Sequence, residues 1–251
     1  MILEIDMGNT RLKWRVRYQQ ATVAQSAIGV EESLGLLVDK IEPYRNAISA
    51  VSVASVVGEL FEQRLADWSI GYLDVLPVFA RSSAICGLVR NGYHNPQALG
   101  VDRWLGIVAA YRLVSAACIV VSCGTAVTVD LIARNGKHMG GFIAPGLNLV
   151  LDSLTSGTRQ IKLDRTVTGL DLSPAAATSE AVYSACAAML TGLVDNGVRQ
   201  LRRLDQNSEF QMVFTGGDAG KLLSFYPQAR LVPDLVLDGL ACVLDYPQQL
   251  E

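Results

Sequence analysis

The chain has 251 residues, half of them hydrophobic and 18% charged, with a formal net charge of −3. That composition excludes a disordered or fibrous protein, and the length suits one large domain or two smaller ones. The slight acidity leaves no broad positive field for nucleic acid. Five cysteines without a CxxC pair argue against a disulfide framework or a zinc knuckle. Two histidines, His94 and His138, are too few for a multi-histidine metal site. The cysteines read as small buried apolar residues of a reducing compartment.

The opening MILEIDMGNT carries acids at positions 4 and 6 and lacks the basic start and long apolar run of a signal peptide. The cytoplasm is therefore the expected location. A first strand over Met1–Ile5 ends in the turn cluster Asp6-Met7-Gly8-Asn9-Thr10. The alternation of Arg11–Val16 makes a second strand, so the two form a hairpin. Apolar spacing predicts helices over 31–41, 58–68, 101–116, 179–204 and 234–244, and strands over 46–53, 74–79, 118–121, 127–131 and 210–214. Residues 90–100 and 157–173 read as loops, and 140–146 as a tight glycine-rich turn. The apolar stretch 105–133 is broken by Arg112, Asp130 and Ser122–Gly124, and reads as a core helix and a core strand rather than a membrane span.

Strands alternating with helices define the α/β class. The strand–turn–strand opening returns at Cys118–Leu131 around Ser122-Cys123-Gly124-Thr125-Ala126. Gly8 and Gly124 stand 116 residues apart, and at that offset Leu3-Glu4-Ile5 falls on Ile119-Val120-Val121. Two duplicated domains, 1–116 and 117–251, are the expectation.

Three strands end in small-residue turns: DMGNT at 6–10, SCGTA at 122–126 and TGGD at 215–218. Glycine backbones and Ser or Thr hydroxyls at such turns offer donors to an anion, yet none of the three is a Walker A or GxGxxG motif. Asp6 reads either as a turn-capping residue or as a carboxylate for Mg²⁺ beside a phosphate. Lys13 is either a solvated lysine or a phosphate ligand. Asp102 and Arg103 open a helix behind the polar segment Asn91–Gly100. There Asp102 either complements the helix dipole or serves the chemistry.

The ordered set Asp6-Met7-Gly8-Asn9-Thr10, Gly92-Tyr93 with Pro96, Leu99-Gly100-Val101-Asp102-Arg103, Gly124-Thr125-Ala126 with Thr128 and Asp130, Gly140-Gly141 with Pro145-Gly146, and Thr215-Gly216-Gly217 resembles the type III pantothenate kinases. This family includes proteins described as Bvg accessory factor homologues, and the resemblance covers nearly the whole chain. It implies two ribonuclease H-like domains of the acetate and sugar kinase and actin-like superfamily, with the active-site cleft between them. The implied reaction is ATP-dependent phosphorylation of pantothenate at its 4′-hydroxyl, the first step toward coenzyme A.

The same resemblance makes Asp102 the general base. It assigns Tyr93, Gly100, Val101, Asp102 and Arg103 to pantothenate, joined by Thr178 from the second subunit of a homodimer. It assigns Asp6, Met7, Gly8, Asn9, Thr10, Arg11, Leu12, Lys13 and Thr125 to ATP. Mg²⁺ is expected near Asp6 through water, and K⁺ or NH₄⁺ at the position of Ser122. The family commonly carries Asp at that position, where this chain offers a neutral hydroxyl, with Asp130 as a nearby carboxylate. Arg103 is left with two jobs, a pantothenate oxygen or the transferring phosphoryl group. A non-catalytic transcriptional accessory factor and a kinase for another small alcohol are the alternatives. The −3 charge and the lack of a helix-turn-helix pattern weigh against DNA binding.

Overall fold

A computed structural model describes residues 1–30, 33–167, 169–205 and 209–244. In chain order the elements are β1 (Ile2–Met7), β2 (Arg11–Tyr18), β3 (Ala21–Gly29), α1 (Ser33–Ile41), β4 (Ala50–Ser55), α2 (Glu59–Leu73), β5 (Val78–Phe79), β6 (Ile85–Cys86) and β7 (Val89–Arg90). They continue with α3 (Val101–Val114), β8 (Ala117–Cys123), β9 (Ala126–Ile132), β10 (His138–Pro145), α4 (Leu147–Gly157), α5 (Thr178–Leu204), β11 (Phe210–Thr215), α6 (Ala219–Leu222), β12 (Arg230–Leu231) and α7 (Leu235–Val243).

The chain forms two compact units. One comprises Met1–Gly87, Tyr93–Ala109 and the residues from Leu235 onward, and the other Leu88–Gly92 and Ala110–Asp234. The division is thus not a single cut at 116. A cut there assigns α7 to the second half, whereas α7 packs on β1 and β4 of the first unit. Gly239 also lets α7 lie close to α3 of the same unit, since a Cβ there would lie 2.4 Å from the Leu105 carbonyl oxygen.

The sheets of the two units have the same order, β3-β2-β1-β4-β5 and β10-β9-β8-β11-β12. In each, three antiparallel strands are followed by two parallel ones. The duplication suggested by the 116-residue offset is therefore a duplication of topology. In the first unit Leu3, Ile5, Met7, Leu12, Trp14 and Val16 form the core with Leu37, Ile41 and Leu65 from α1 and α2. In the second, Ile119, Val121, Val127 and Val129 pack against Leu190, Val194 and Leu201 of α5. A Cβ on Gly197 would come within 2.8 Å of Val129, so this glycine lets α5 approach β9.

Most expected elements are present within a few residues. The strand expected over 46–53 starts at Ala50, because Glu42–Ala47 is a 3-10 helix. Of 74–79 only Val78–Phe79 pairs in the sheet. The expected helix over 31–41 is seen from Ser33, and its first two residues lie outside the described ones. Residues 140–146 are not a turn. Residues 140–145 belong to β10 and Gly146 leads into α4; Gly140 has φ of +98° and the register shifts between His138 and Gly141, so Gly140 and Gly141 serve a bulge inside a strand.

Candidate active site

The first glycine turn follows from the β1–β2 register. Met7 pairs with Leu12, leaving Gly8 to Arg11 as the loop, closed by a 3.0 Å bond from Gly8 N–H to the Arg11 carbonyl. Gly8 does not have a positive φ. It is constrained instead by space, since a Cβ there would sit 3.2 Å from the Arg11 carbonyl oxygen. Asn9, Thr10 and Arg11 are exposed, while Met7 and Leu12 are fully buried. Of the nine residues expected at ATP, Met7 and Leu12 therefore have only backbone to offer. Asp6 and Lys13 face each other across the two strands, both half-buried.

The second turn is the same device one residue shorter. Cys123 pairs with Val127, and Gly124 N–H donates to the Ala126 carbonyl at 3.0 Å. Gly146, just before α4, presses against it. Its N–H donates to the Thr125 carbonyl at 2.9 Å, and a Cβ on it would lie 2.3 Å from the Gly124 carbonyl oxygen. Ser122 is in register with Thr128 on one side and Thr215 on the other, a row of three hydroxyl residues across the sheet. Asp130 stands two pairs further along, opposite Val120, and its Oδ1 lies 3.0 Å from His138 Nε2 with both side chains buried. The carboxylate near Ser122 is thus engaged by His138.

The third turn, Thr215-Gly216-Gly217-Asp218, belongs to the same unit. Gly216 has φ of +93° and approaches Cys123 so closely that a Cβ would sit 2.3 Å from its carbonyl oxygen. Asp218 N–H donates to that oxygen at 3.0 Å, and Lys221 pairs with the Asp218 carboxylate at 2.8 Å.

The polar segment before α3 is an ordered strap. The Asn95 side chain accepts from Gln97 N–H at 3.2 Å, and Ser82 Oγ donates to the Leu99 carbonyl at 2.7 Å. At the helix start Asp102 Oδ1 accepts from Arg103 N–H at 2.8 Å, and a Cβ on Gly100 would meet that same oxygen at 2.8 Å. Glycine at 100 thus leaves room for the half-buried Asp102 carboxylate. Arg103 is 8% exposed. Its Nη1 donates to the Tyr93 hydroxyl at 2.7 Å, with the guanidinium carbon 5.5 Å from the ring centre. Tyr93, Gly100, Val101, Asp102 and Arg103 are thus brought together. Thr178 is exposed at the first turn of α5, in the second unit.

Sequence reasoning missed a buried charge network in the first unit. Arg15 Nε donates to Glu4, its cross-strand partner, and Arg15 Nη1 donates to Asp238 Oδ1 of α7 at 2.6 Å. Glu4 is fully buried and Arg15 nearly so. Burial raises the Glu4 carboxyl above its ordinary value of 4.5, against the pull of Arg15 and Arg17. The available signal was a Glu between Leu3 and Ile5 in a strand whose hairpin register places Arg15 opposite. Burial likewise pushes the Cys118 and Cys123 thiols up to about 12.

The duplicated sheets with glycine turns at their strand ends define a chain of the sugar-kinase and actin-like fold class. A structure from Sinorhizobium meliloti described as a 2-dehydro-3-deoxygalactonokinase aligns over 98% of this chain and 100% of its own, with TM-score 0.59 and 13% identity. One from Campylobacter jejuni described as a Baf family transcriptional activator aligns over 99% and 100%, with TM-score 0.65 and 20% identity. Such low identities show the fold alone. The family profile for type III pantothenate kinase matches residues 2–200. A type III pantothenate kinase of Ectopseudomonas mendocina is 39% identical over 96% of this chain and 98% of its own length, and one of Cellvibrio japonicus is 38% identical over 98% and 97%. The chain belongs to the type III pantothenate kinase family.

Proposed function

We propose that the protein transfers the γ-phosphoryl group of ATP to the 4′-hydroxyl of pantothenate. The observation that carries the reading is the start of α3, where Asp102 stands beside the Arg103–Tyr93 pair at the end of an ordered polar strap. Asp102 accepts the proton of the attacking hydroxyl. The new bond joins that oxygen to the γ-phosphorus, the bond to the β–γ bridging oxygen breaks, and ADP leaves with the electron pair. A positioned base is worth roughly 10²–10⁴-fold in rate. Arg103 and Tyr93 act as one unit that holds a pantothenate oxygen.

The backbone of the turn at 8–11 and the Thr10 hydroxyl, with Asp6 and Lys13, serve the ATP phosphates in the first unit, and Thr125 serves them in the second. Among the described residues no three His, Cys, Asp or Glu side chains gather into a metal cage. Mg²⁺ fits here nonetheless, because it binds through one or two carboxylates together with substrate phosphates, and Asp6 beside the turn is such a carboxylate. When bound, the metal neutralises phosphate charge. The Thr128–Ser122–Thr215 row supplies neutral oxygens to K⁺ or NH₄⁺, which supports a weaker site than a carboxylate would make.

We read the active form as a homodimer in which Thr178 of a second copy joins the pantothenate site. The apolar side chains of Ile143 on β10 and Met189 on α5, 64% and 57% exposed, support a protein partner on the second unit. No described helix is long and apolar enough to cross a membrane, and we place the protein in the cytoplasm.

The test is ATP consumption with pantothenate, pantetheine and a panel of sugars, run in parallel with Asp102→Asn. Turnover confined to pantothenate, and lost in the variant with pantothenate binding within a few-fold of the parent, is the expected result. Phosphorylation of a sugar in preference, or a near-native kcat in the variant, refutes the reading.

A further inference from the structure

The Glu4–Arg15–Asp238 network has no place in the chemistry above, yet it lies on the same sheet face as the phosphate turn. Side chains alternate along a strand, so Glu4 and Asp6 share one face of β1, and Arg15 and Lys13 the same face of β2. The two direct pairs are Glu4 with Arg15 and Asp6 with Lys13. Arg15 and Asp6 are then diagonal neighbours, about 7–8 Å apart at the backbone, a span that long side chains cross.

The guanidinium of Arg15 is held at two points, Nε on Glu4 and Nη1 on Asp238. Its Nη2 is buried without a hydrogen-bond partner among the described residues. Glu4 alone cannot satisfy the fork, because its other oxygen lies 3.6 Å from Arg17 Nε and makes no hydrogen bond. Asp238 is what holds the far end of Arg15, and it comes from α7, which follows the second unit in the chain. With Asp238 neutralised, both Nη groups lack a charged partner, and Asp6 is the next carboxylate on that face.

We propose that Asp238 is a positioning residue for ATP: it anchors Arg15 away from Asp6, so that Asp6 stays opposite Lys13 and serves the metal-bound phosphates. The proposal rests on the reading of Asp6 as a phosphate-site residue. It gives α7, which lies beyond the 2–200 span matched by the family profile, a part in nucleotide binding without any contact to the nucleotide.

The experiment measures binding of ATP by calorimetry with and without Mg²⁺ in the full-length parent, Asp238→Asn, Asp238→Glu and Asp6→Asn, with KM for both substrates and the melting temperature alongside. Asp238 is 46% exposed at its side chain, so its isosteric replacement leaves the core intact. The expected result for Asp238→Asn is Mg·ATP binding weaker by roughly three- to tenfold, the scale of about one charge-assisted contact. KM for ATP rises with it, KM for pantothenate is unchanged, and metal-free ATP binding changes less. Asp238→Glu keeps the charge and restores binding. Native Mg·ATP binding by Asp238→Asn, while Asp6→Asn is impaired, overturns the proposal alone. Equal losses for ATP and pantothenate that follow a lowered melting temperature overturn it in favour of a structural role. Native Mg·ATP binding by Asp6→Asn removes the reading of Asp6 and the proposal with it.

Discussion

The same substitution at two glycines of the second unit should have opposite signs. At Gly146 an added methyl meets backbone on the turn itself, 2.3 Å from the Gly124 carbonyl oxygen and 2.6 Å from that of Thr125. Ordinary carbon–oxygen contacts are about 1 Å longer, and neither oxygen belongs to a flexible side chain, so the turn or the start of α4 must move. Overpacking of this kind costs about 1–3 kcal/mol. Because Gly146 has φ of −71°, backbone strain adds nothing and the effect is steric. Gly192 lies exposed in the interior of α5 with nothing within 4 Å of its added Cβ. There alanine should stabilise by about 0.5–1 kcal/mol through helix propensity. For a chain of this size each kcal/mol moves the melting temperature by about 2–4 °C. Gly146→Ala should melt several degrees lower and raise KM for ATP, since Thr125 is displaced. Gly192→Ala should melt slightly higher with unchanged kinetics. Native melting and native KM for ATP in Gly146→Ala would refute the account of the second turn.

Thiol labelling of the native protein should reach Cys86 and Cys242, which are half-buried, and leave Cys118 and Cys123 unmodified at pH 8, because burial holds those two thiols at about 12; labelling of all four at one rate refutes it. The raised pKa of buried Glu4, faced by Arg15, Arg17 and Asp238, makes the native state bind its proton more tightly than the unfolded chain. Its contribution to stability is therefore full below pH 4.5 and falls as pH rises through the raised value. Glu4→Gln removes that fall, so parent minus variant in urea midpoint should decrease from pH 4 to 7, and a constant or rising difference counts against it. Ser122→Asp should lower the K⁺ concentration for half-maximal rate, read by titration against a bulky organic cation at fixed ionic strength. Identical, unsaturable salt responses would show that no cation sits there.

Elements whose two faces differ were legible in the sequence. β1, β2, β8 and β9 alternate or run apolar, and the long α5 carries a stripe, so each was placed within a few residues. β3 was not seen because it is an exposed edge strand, with no buried residue to impose a period. α4 was hidden behind Gly140–Gly146, where glycines that serve a bulge and a close approach look like turn residues. At the candidate site the residue types and their order were legible. What local sequence could not show was which neighbour each one meets. The Arg103–Tyr93 bond spans ten residues and had a local cue, whereas the Arg15–Asp238 bond spans 223 residues and had none.

The duplication also accounts for that long-range bond. Because the second turn is one residue shorter, Asp6 corresponds to Ser122 and Glu4 to Val120 on the central strands, while Lys13 corresponds to Thr128 and Arg15 to Asp130 on the next. The row at the turn therefore carries charges in the first unit and hydroxyls in the second. Two pairs further along, both units bury an ionisable side chain at the equivalent position, Arg15 in one and Asp130 in the other. A buried ionisable group persists only with partners, since desolvation of a lone charge costs several kcal/mol. Asp130 finds His138 on the adjoining strand of its own sheet. A guanidinium has five donors and needs more than the single carboxylate Glu4 can give. The other acid on that face of β1, Asp6, is in register with Lys13 at the turn, and the second carboxylate bonded to Arg15 is Asp238 on α7. The charge placed behind the first turn is thus partnered by α7, the last described helix, which belongs to the unit that opens the chain.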